Sequence, residues 1–283
     1  MTISMNNKND LTYQALFDEL VQEVFGFSFE PWFEYELWDE NYESYSIIEN
    51  SKMLSNVCIF KSNLIVNGHK LPAIQFGAVA TTKNARGKGL SRILIEHVLS
   101  LYPDRLAYLA ANPSVVNFYP QFGFKQVQTY KAEIPAAVNN KLTTATKCDI
   151  DDEIVMQALQ NRGTFSNLID CTNSMSIQMF HLIMQYHNAI YYLPGLKTVI
   201  IAEQKNNRLF LADVITQSTQ ISFDELIAEL PFSGVDTIEF GFCPDWLSVM
   251  PNWIPTSMTD DPFFIRGNWN LPNKFRFPLT SET

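Results

Sequence analysis

The hydrophobic positions at the start of the chain predict one helix followed by three antiparallel strands. Apolar side chains recur at helical spacing over residues 11–24, so this segment should present one apolar stripe to a core. Strand-like apolar runs follow at residues 44–49, 56–66 and 69–81. The pair Asn67 and Gly68 between the last two runs is a strong signal for a hairpin turn, so these strands should pair in sequence order.

The third strand leads into a polar, glycine-containing loop and then into a second helix. Leu90 and Leu94 begin an apolar face at helical spacing, so the loop of residues 82–89 joins a strand to a helix N-terminus. Such a junction can bind phosphate because unpaired backbone N–H groups and the positive end of the helix dipole face the loop. Arg86 and Lys88 add positive charge there.

The glycines of this loop have two interpretations. Gly87 and Gly89 can hold a phosphate, or they can serve only the backbone freedom that many strand-to-helix turns require. Their spacing fits neither the G-x-x-x-x-G-K-[ST] pattern of a P-loop nor the G-x-G-x-x-G pattern of a dinucleotide fold. The loop alone therefore does not decide its function.

The following segment supplies a second motif. Hydrophobic runs predict a strand over residues 105–111, a short helix over 113–121 and a strand over 124–133. Within this stretch, six residues fill the pattern N-x-x-[AV]-x-x-F-Y-x-x-x-G-F: Asn112, Val115, Phe118, Tyr119, Gly123 and Phe124. Upstream, Arg86 and Gly89 fit [QR]-x-x-G-x-[GA], with Ser91 standing where glycine or alanine is usual.

With both motifs in this order and separation, the first half of the chain resembles the GNAT acetyltransferase superfamily. The run Val79-Ala80-Thr81 followed by Arg86 is most similar to the enhanced-intracellular-survival-like branch. The resemblance implies an α/β (α+β) protein with the GNAT fold, a mixed and mostly antiparallel sheet flanked by helices. It also implies acetyl-CoA as co-substrate, with its pyrophosphate on the glycine loop.

The resemblance further implies which residues touch the co-substrate. The backbone of residues 79–81 would pair with the pantetheine arm and polarise the thioester carbonyl. The implied acetyl-CoA site consists of Val79, Ala80, Thr81, Arg86, Gly87, Lys88, Gly89, Leu90, Ser91 and Asn112. Tyr119 matches the family tyrosine that protonates the CoA sulfur, although a packing role for this aromatic is also open.

Two classes of function are consistent with these motifs. The first is an N-acetyltransferase that moves acetyl from acetyl-CoA to a primary amine of a small molecule or peptide. In this reaction the amine attacks directly, so no nucleophilic cysteine or serine is needed. The second is a non-catalytic acyl-CoA-binding or sensor protein that keeps the fold. Retention of Tyr119 beside an intact loop favours the enzyme.

The sequence does not identify a general base. Gln75 and Ala78 stand where the family usually carries an acid on this strand. His69 and His97 lie nearer the motifs than His181 and His187, and no histidine has partners at metal-ligand spacing. In the resembled branch the C-terminal carboxylate reaches the site, which would bring Thr283 there.

Residues 25–38 are unusually aromatic. These side chains either line an acceptor pocket or belong to a helix pair that packs on the sheet, and we favour packing. The acidic residues interleaved with them are typical of a solvated face, although some would suit a cationic acceptor. The acids are Glu30, Glu34, Glu36, Asp39, Glu40 and Glu43.

The second half predicts a degenerate copy of the first. We divide the chain into a GNAT domain of residues 1–134, a linker of residues 135–148 and a C-terminal α/β domain of residues 149–283. Helices are predicted at residues 149–162, 174–185 and 221–230, and strands at 197–202, 208–215, 235–240, 263–266 and 274–277. The segment from Thr216 to Gln220 has neither glycine nor arginine, so a phosphate loop is lost. An unrelated α+β domain is the alternative.

Composition adds limits on partners and location. The 283 residues carry a formal net charge of −10, which argues against nucleic acid and steers cationic amines towards the protein. The cysteines, Cys58, Cys148, Cys171 and Cys243, form no C-x-x-C pair and predict neither disulfides nor a metal site. No signal peptide or membrane-spanning run is visible. We therefore expect a cytoplasmic protein with no membrane partner; its oligomeric state is not predicted.

Overall fold

The structure is a computed structural model that describes residues 2–5, 10–139, 143–217 and 221–283. Within these residues the chain forms two mixed β-sheets with helices packed against them. The helices are α1 (Leu11–Phe25), α2 (Glu30–Glu34), α3 (Leu90–Leu101), α4 (Glu153–Gln160), α5 (Met175–Met184) and α6 (Phe223–Glu229). Two 3₁₀ turns matter for the site, Pro113–Val115 and Tyr119–Phe122, and a third, Leu279–Ser281, lies near the end of the sequence.

The strands divide between the sheets as follows. The first sheet contains β1 (Ile3–Met5), β2 (Tyr42–Glu49), β3 (Lys52–Val66), β4 (His69–Thr81), β5 (Leu106–Ala110), β6 (Lys125–Val127), β9 (Ile169–Thr172) and β15 (Phe263–Arg266). The second sheet contains β7 (Tyr130–Asn139), β8 (Thr146–Lys147), β10 (Ile190–Leu193), β11 (Thr198–Lys205), β12 (Arg208–Ile215), β13 (Ser233–Phe240) and β14 (Asn252–Pro255).

The first sheet has the order β1-β2-β3-β4-β5-β15-β6, with β9 paired to the far end of β3. β2, β3 and β4 are consecutive antiparallel strands, so this prediction is confirmed. Asn67 and Gly68 form the predicted hairpin turn, both with positive φ (48° and 76°). The apolar face of α3 packs on one side of the sheet with Leu94 and Phe76, whereas α1, α2 and α5 pack on the other side around Phe60.

Two irregularities of β4 create an opening in this sheet. β4 runs parallel to β5, but the pairing covers only residues 73–75 of β4 and ends at Gln75 opposite Tyr108. On its other edge, β4 bulges against β3: Asn56 pairs with Ala80, while Cys58 pairs with Gly77. Ala78 in the bulge has φ +43°, an unusual conformation for a residue with a side chain. Beyond Gln75, the edge of β4 therefore no longer pairs with β5.

The second sheet repeats part of the first. β11 and β12 form a hairpin, α6 follows, and β13 then pairs with β12 in parallel. This order is the same as β3, β4, α3 and β5, so the predicted GNAT-like repeat is present in the topology. The predicted capping box of α6 is also present, because Ser222 and Glu225 each bond the backbone N–H of the other.

Some predicted elements have different limits in the structure. Residues 135–139, placed in a linker, continue β7 and pair with β13, and residues 140–142 lie outside the described residues. The helix predicted over residues 113–121 is two 3₁₀ turns, because Pro120 has no N–H to continue a helical ladder. Residues 274–277 form no strand; Phe275 and Phe277 are buried against Tyr108 and its neighbours instead.

The chain crosses between the two sheets more than once. β15, far along the sequence, inserts between β5 and β6 of the first sheet. One hydrophobic core also joins the halves, because Phe60 of the first sheet and Ile201 of the second belong to the same buried cluster. The sheets therefore do not correspond to two separate stretches of sequence, and the division into domains remains an interpretation.

Candidate active site

A cavity of about 940 Å³ lies where β4 and β5 part. Its walls come from the free edge of β4, the glycine loop, the start of α3 and the 3₁₀ turn that carries Tyr119. The far wall is formed by residues of α1, the α1–α2 connection and α5. A volume of this size belongs to the range of small-molecule sites.

The glycine loop presents backbone donors to this cavity. Gly87 and Gly89 line it, and both have positive φ (78° and 75°). Gly89 is the N-cap of α3 and provides no side chain to bond the first-turn N–H groups. Apart from the adjoining residues, no atom of the described part of the chain lies within 4 Å of a Cβ placed on either glycine. Glycine is therefore needed at these positions for its backbone conformation, or because a ligand occupies the open space.

Hydroxyl groups fasten the loop to the sheet. Ser91 Oγ lies 2.7 Å from Thr81 Oγ1, which lies 2.8 Å from Ser55 Oγ. Ser55 in turn donates to the carbonyl of Ala80 at 2.9 Å. The serine that departs from the family motif therefore joins the first turn of α3 to the end of β4. The sequence alone did not indicate Ser55 or this link.

Glu23 of α1 secures the loop from the other side. Its carboxylate accepts from Thr82 Oγ1 at 2.6 and 2.8 Å and from the N–H of Lys83 at 2.8 Å. These bonds lower the pKa of Glu23, so the carboxylate stays ionised and keeps its hydrogen bonds to the loop. Arg86 Nε donates to the carbonyl of Thr81 at 3.2 Å.

Tyr119 lies in the cavity wall beneath aromatic side chains. Its ring contacts Phe118, Phe124 and, from β15, Phe264, with centroid distances of 5.5, 6.1 and 5.8 Å. Within the described parts of the chain its hydroxyl has no hydrogen-bond partner, and burial raises the pKa of Tyr119 to about 12. The hydroxyl is thus protonated at neutral pH and free to donate.

Two neighbouring polar residues hold the Tyr119 segment in place. Asn112 Oδ1 accepts from the N–H and the hydroxyl of Ser114 at 2.9 and 2.7 Å, which caps the first 3₁₀ turn. Arg92 of α3 donates to Gln121 and lies 5.2 Å above the ring of Phe122. The helix that follows the glycine loop and the turn that carries Tyr119 are therefore tied together.

Most of the residues implied by the family resemblance meet in this cavity. Its lining includes Val79, Thr81, Arg86, Gly87, Gly89, Leu90, Ser91, Asn112 and Tyr119. Two others do not line it: the side chain of Ala80 is buried in the core, and Lys88 is exposed outside the wall. Sequence reasoning missed Gly77, Arg92, Ile177 and Phe180, which have no motif of their own.

The histidines named from the sequence are not among the residues that line the cavity. His69 is exposed at the start of β4, and His97 on α3 stacks edge-on to Tyr45. His181 contacts the carbonyl of Glu282 through Nε2, and burial lowers its pKa. In the described parts of the chain, no group of three or more His, Cys, Asp or Glu side chains is placed to hold a metal.

The last residues of the sequence enter the cavity beside β4. Thr283 lines it, and Thr283 Oγ1 donates to the carbonyl of Phe76 at 3.4 Å. When the Gln75 amide is oriented by its hydrogen bonds, its oxygen accepts from Thr283 and its nitrogen donates to the Ser281 carbonyl at 3.1 Å. Gln75, which stands where the family carries an acid, therefore holds this segment at the opening of the sheet.

The aromatic stretch after α1 both packs and lines the cavity. Phe25, Phe27, Phe29 and Trp32 form part of the wall, and all but the exposed Phe25 also belong to or pack on the shared core. The interleaved acids do not line the wall; Glu43, for example, is bound to Lys61 at 2.7 Å. The two interpretations of this stretch are thus compatible, with the acids turned away.

Residues 11–127 match the family model for the acetyltransferase (GNAT) domain. These residues, which are somewhat less than half of the chain, are therefore similar to a GNAT acetyltransferase domain. The match covers both motifs as well as β2 to β6. GNAT domains transfer an acyl group from an acyl-CoA, so the match supports an acyltransferase.

Solved structures show the same fold over nearly the whole chain. A probable N-acyltransferase from Enterococcus faecalis has a TM-score of 0.58 and 17% identity, covering 94% of this chain and 72% of that one. Eis1 from Mycobacterium abscessus has a TM-score of 0.58 and 13% identity, with coverage of 94% and 73%. N-myristoyltransferase from Saccharomyces cerevisiae with bound myristoyl-CoA has a TM-score of 0.51, 12% identity and coverage of 100% and 84%.

At these identities the similarity extends to the fold alone. It includes the second half, which supports two GNAT-like units in this chain. No curated protein matches the sequence significantly. In the part of the chain that the structure describes, no helix is long and apolar enough to cross a membrane.

Proposed function

We propose that this GNAT domain transfers acetyl from acetyl-CoA to a primary amine of a small molecule or peptide. The observation that carries the proposal is the juxtaposition, in one cavity, of a glycine-loop helix N-terminus, a bulged strand edge and a buried tyrosine hydroxyl. Each suits one part of the co-substrate: the pyrophosphate, the pantetheine with its thioester, and the sulfur.

The chemistry assigned to these groups is direct transfer. The nitrogen of a neutral amine attacks the acetyl carbonyl, a C–N bond forms and the C–S bond breaks. Backbone N–H groups at the β4 bulge, around Val79, would stabilise negative charge on the carbonyl oxygen. Tyr119 gives its proton to the departing sulfur, and the nitrogen loses one proton to solvent or to a base. No covalent enzyme intermediate is needed.

Binding and turnover test separate parts of this proposal. We expect calorimetry to show that acetyl-CoA binds the purified protein. Arg86→Glu should weaken that binding, because Arg86 lines the cavity and the substitution places a negative charge beside the pyrophosphate. We expect Tyr119→Phe to lower turnover in a thiol-release assay at least tenfold while leaving acetyl-CoA affinity within twofold. Phe118→Leu, next to Tyr119, is the control for a mere packing effect.

The outcomes distinguish an enzyme from a sensor. Tight acetyl-CoA binding without thiol release across a wide panel of amines and peptides would favour a non-catalytic binding protein. A Tyr119→Phe variant with the wild-type rate would show that another group protonates the thiolate. Unchanged affinity in Arg86→Glu would remove this arginine from the site.

A further inference from the structure

The wall of the cavity that faces away from α3 is aromatic. Phe27, Phe29 and Phe180 form a mutually contacting group, with ring centroids 5.5, 5.9 and 5.0 Å apart. Phe25 extends it towards solvent, 6.1 Å from Phe27, and Ile177 of α5 completes it. We call these five side chains the aromatic wall. It comes from both halves of the chain, because α5 follows the GNAT domain.

Among the described residues that line the cavity, no acidic side chain is present to pair with a second positive charge. Among the described residues that line the cavity, the ionisable side chains are Tyr42, Arg86, Arg92 and Tyr119, and none is a carboxylate or an imidazole. The overall negative charge of the protein does not change this, because charges farther away than about 8–10 Å are largely screened in physiological salt.

The carboxylates of α1 nearest the aromatic wall, Asp18 and Glu23, are hydrogen-bonded to other parts of the protein. Asp18 accepts from the N–H of Phe29 at 2.6 Å and from the hydroxyl of Ser28 at 3.0 and 3.1 Å. Glu23 is bound to Thr82 and Lys83 of the glycine loop. Asp18 therefore positions the phenylalanines and Glu23 positions the loop, and neither lines the cavity.

From this arrangement we propose that the acceptor is a monoamine on an apolar body, best an arylalkylamine, whose ring lies against Phe27, Phe29 and Phe180. The inference rests on the proposed acetyl transfer. Aromatic rings pack favourably on such a wall, in stacked or edge-on contact. Burial in apolar surroundings also lowers the pKa of an ammonium, so the wall would help to supply the neutral amine that attacks the thioester.

A comparison of amine classes with acetyl-CoA tests the acceptor. We expect kcat/KM for 2-phenylethylamine to exceed that for spermidine and for an aminoglycoside by at least tenfold. Phe180→Ala should raise KM for 2-phenylethylamine about tenfold and leave the KM for acetyl-CoA within twofold. Phe33→Ala is the matched control, because Phe33 is also partly buried and contacts Phe29 (6.1 Å) but does not line the cavity. It should change neither KM by more than twofold.

Other results would overturn the inference. Equal or better turnover of spermidine or the aminoglycoside would show that the cavity accepts polycations. If Phe180→Ala instead altered the preference between acetyl-CoA and decanoyl-CoA without changing KM for the amine, the wall would hold an acyl chain. Calorimetry of acetyl-CoA without any amine keeps this inference apart from the proposed function: binding with no preference among amines rejects only the former, whereas absence of binding rejects both.

Discussion

Substitution of Gly89 by alanine tests whether the glycine loop binds acetyl-CoA. Its effect on stability, through backbone strain, can be measured separately from its effect on ligand affinity. Gly89 has φ +75°, and among the described residues other than its neighbours no atom lies within 4 Å of an added Cβ. The alanine therefore costs only backbone strain, about 1–2 kcal/mol in the free energy of unfolding. Since a loss of 1 kcal/mol lowers Tm by about 2–4 °C in a domain of 150–250 residues, a small shift should be visible by calorimetry.

Gly234 provides the matched control. It too has positive φ (70°), and an added Cβ there would likewise meet no atom of the described chain within 4 Å, its neighbours aside. Gly234, however, lies at the start of β13 in the second half. Gly234→Ala should lower Tm as much as Gly89→Ala. Only Gly89→Ala should weaken acetyl-CoA binding, by about tenfold or about 1.4 kcal/mol, because its Cβ enters the space where we propose that the pyrophosphate binds.

Titration calorimetry at matched protein concentration measures both affinities. Wild-type affinity in Gly89→Ala, with the expected drop in Tm, would refute the placement of pyrophosphate on this loop. If both variants lost affinity for acetyl-CoA equally, the loss would follow global stability. The two effects of Gly89→Ala, on stability and on ligand contact, could then not be distinguished.

Three further predictions concern titration and anchoring. Because burial raises the pKa of Tyr119 to about 12, the acid stays protonated, and kcat should show no alkaline decline from this group up to pH 10 in a pH–rate profile. Ser91→Ala removes the bond to Thr81 and should cost about 1 kcal/mol by urea unfolding, while Ser91→Thr keeps a hydroxyl and should cost less. Burial, followed by the nearby Asp261, raises the pKa of Glu282 to about 7. The folded state then binds this proton more tightly than the unfolded state, so Tm should fall as pH rises from about 4.5 to 7, and Glu282→Gln should flatten that dependence.

The sequence predicted best those parts of the fold that depend on local signals. The hairpin at Asn67 and Gly68, the α6 capping box at Ser222 and Glu225, and the helix after Gly89 all rest on residues close together in the chain. Their conformations follow from backbone preference and short-range hydrogen bonds, which is why the pattern was sufficient.

The rest depends on contacts between distant segments. Residues 263–266 were predicted as a strand, but their insertion between β5 and β6 depends on partners more than a hundred residues earlier. Phe180 had no motif and is part of the site only because α5 packs across Phe29. Apolar and polar residues alternate over residues 274–277 as in a strand, but here the pattern reflects burial of the apolar side chains alone. The carbonyl of Phe275 accepts from the N–H of Tyr130, and these residues form no β-ladder.

The end of the sequence explains why the second half should not bind a CoA of its own. β12 and β13 pair only as far as Leu211 and Phe240, much as β4 and β5 pair only as far as Gln75 and Tyr108. Beyond that point, however, the segment that contains the 3₁₀ turn Leu279–Ser281 lies in the gap between β12 and β13. Leu279 donates its N–H to the Gly241 carbonyl at 2.9 Å.

Buried polar contacts keep this filling segment in place. Thr280 Oγ1 donates to Asp213 Oδ2 at 2.6 Å, and Asp213 also pairs with the buried Arg162 at 3.4 Å. A Cβ on Gly241 would lie 2.6 Å from the carbonyl oxygen of Ala212, so no room is left between the strands there. Displacing the segment would leave the charges of Asp213 and Arg162 less well satisfied, at a cost of several kcal/mol.

The same segment then continues into the cavity of the GNAT domain, where Thr283 meets Gln75 and Phe76. The gap between β12 and β13 in the second unit is thus filled by the chain itself. The last residue of the same segment lines the cavity of the first unit. We therefore expect one acetyl-CoA per chain in titration calorimetry, and no binding when Arg86→Glu and Gly89→Trp are combined. A second CoA that survives this double substitution would show that the segment leaves the β12–β13 gap and that the second unit is a working site.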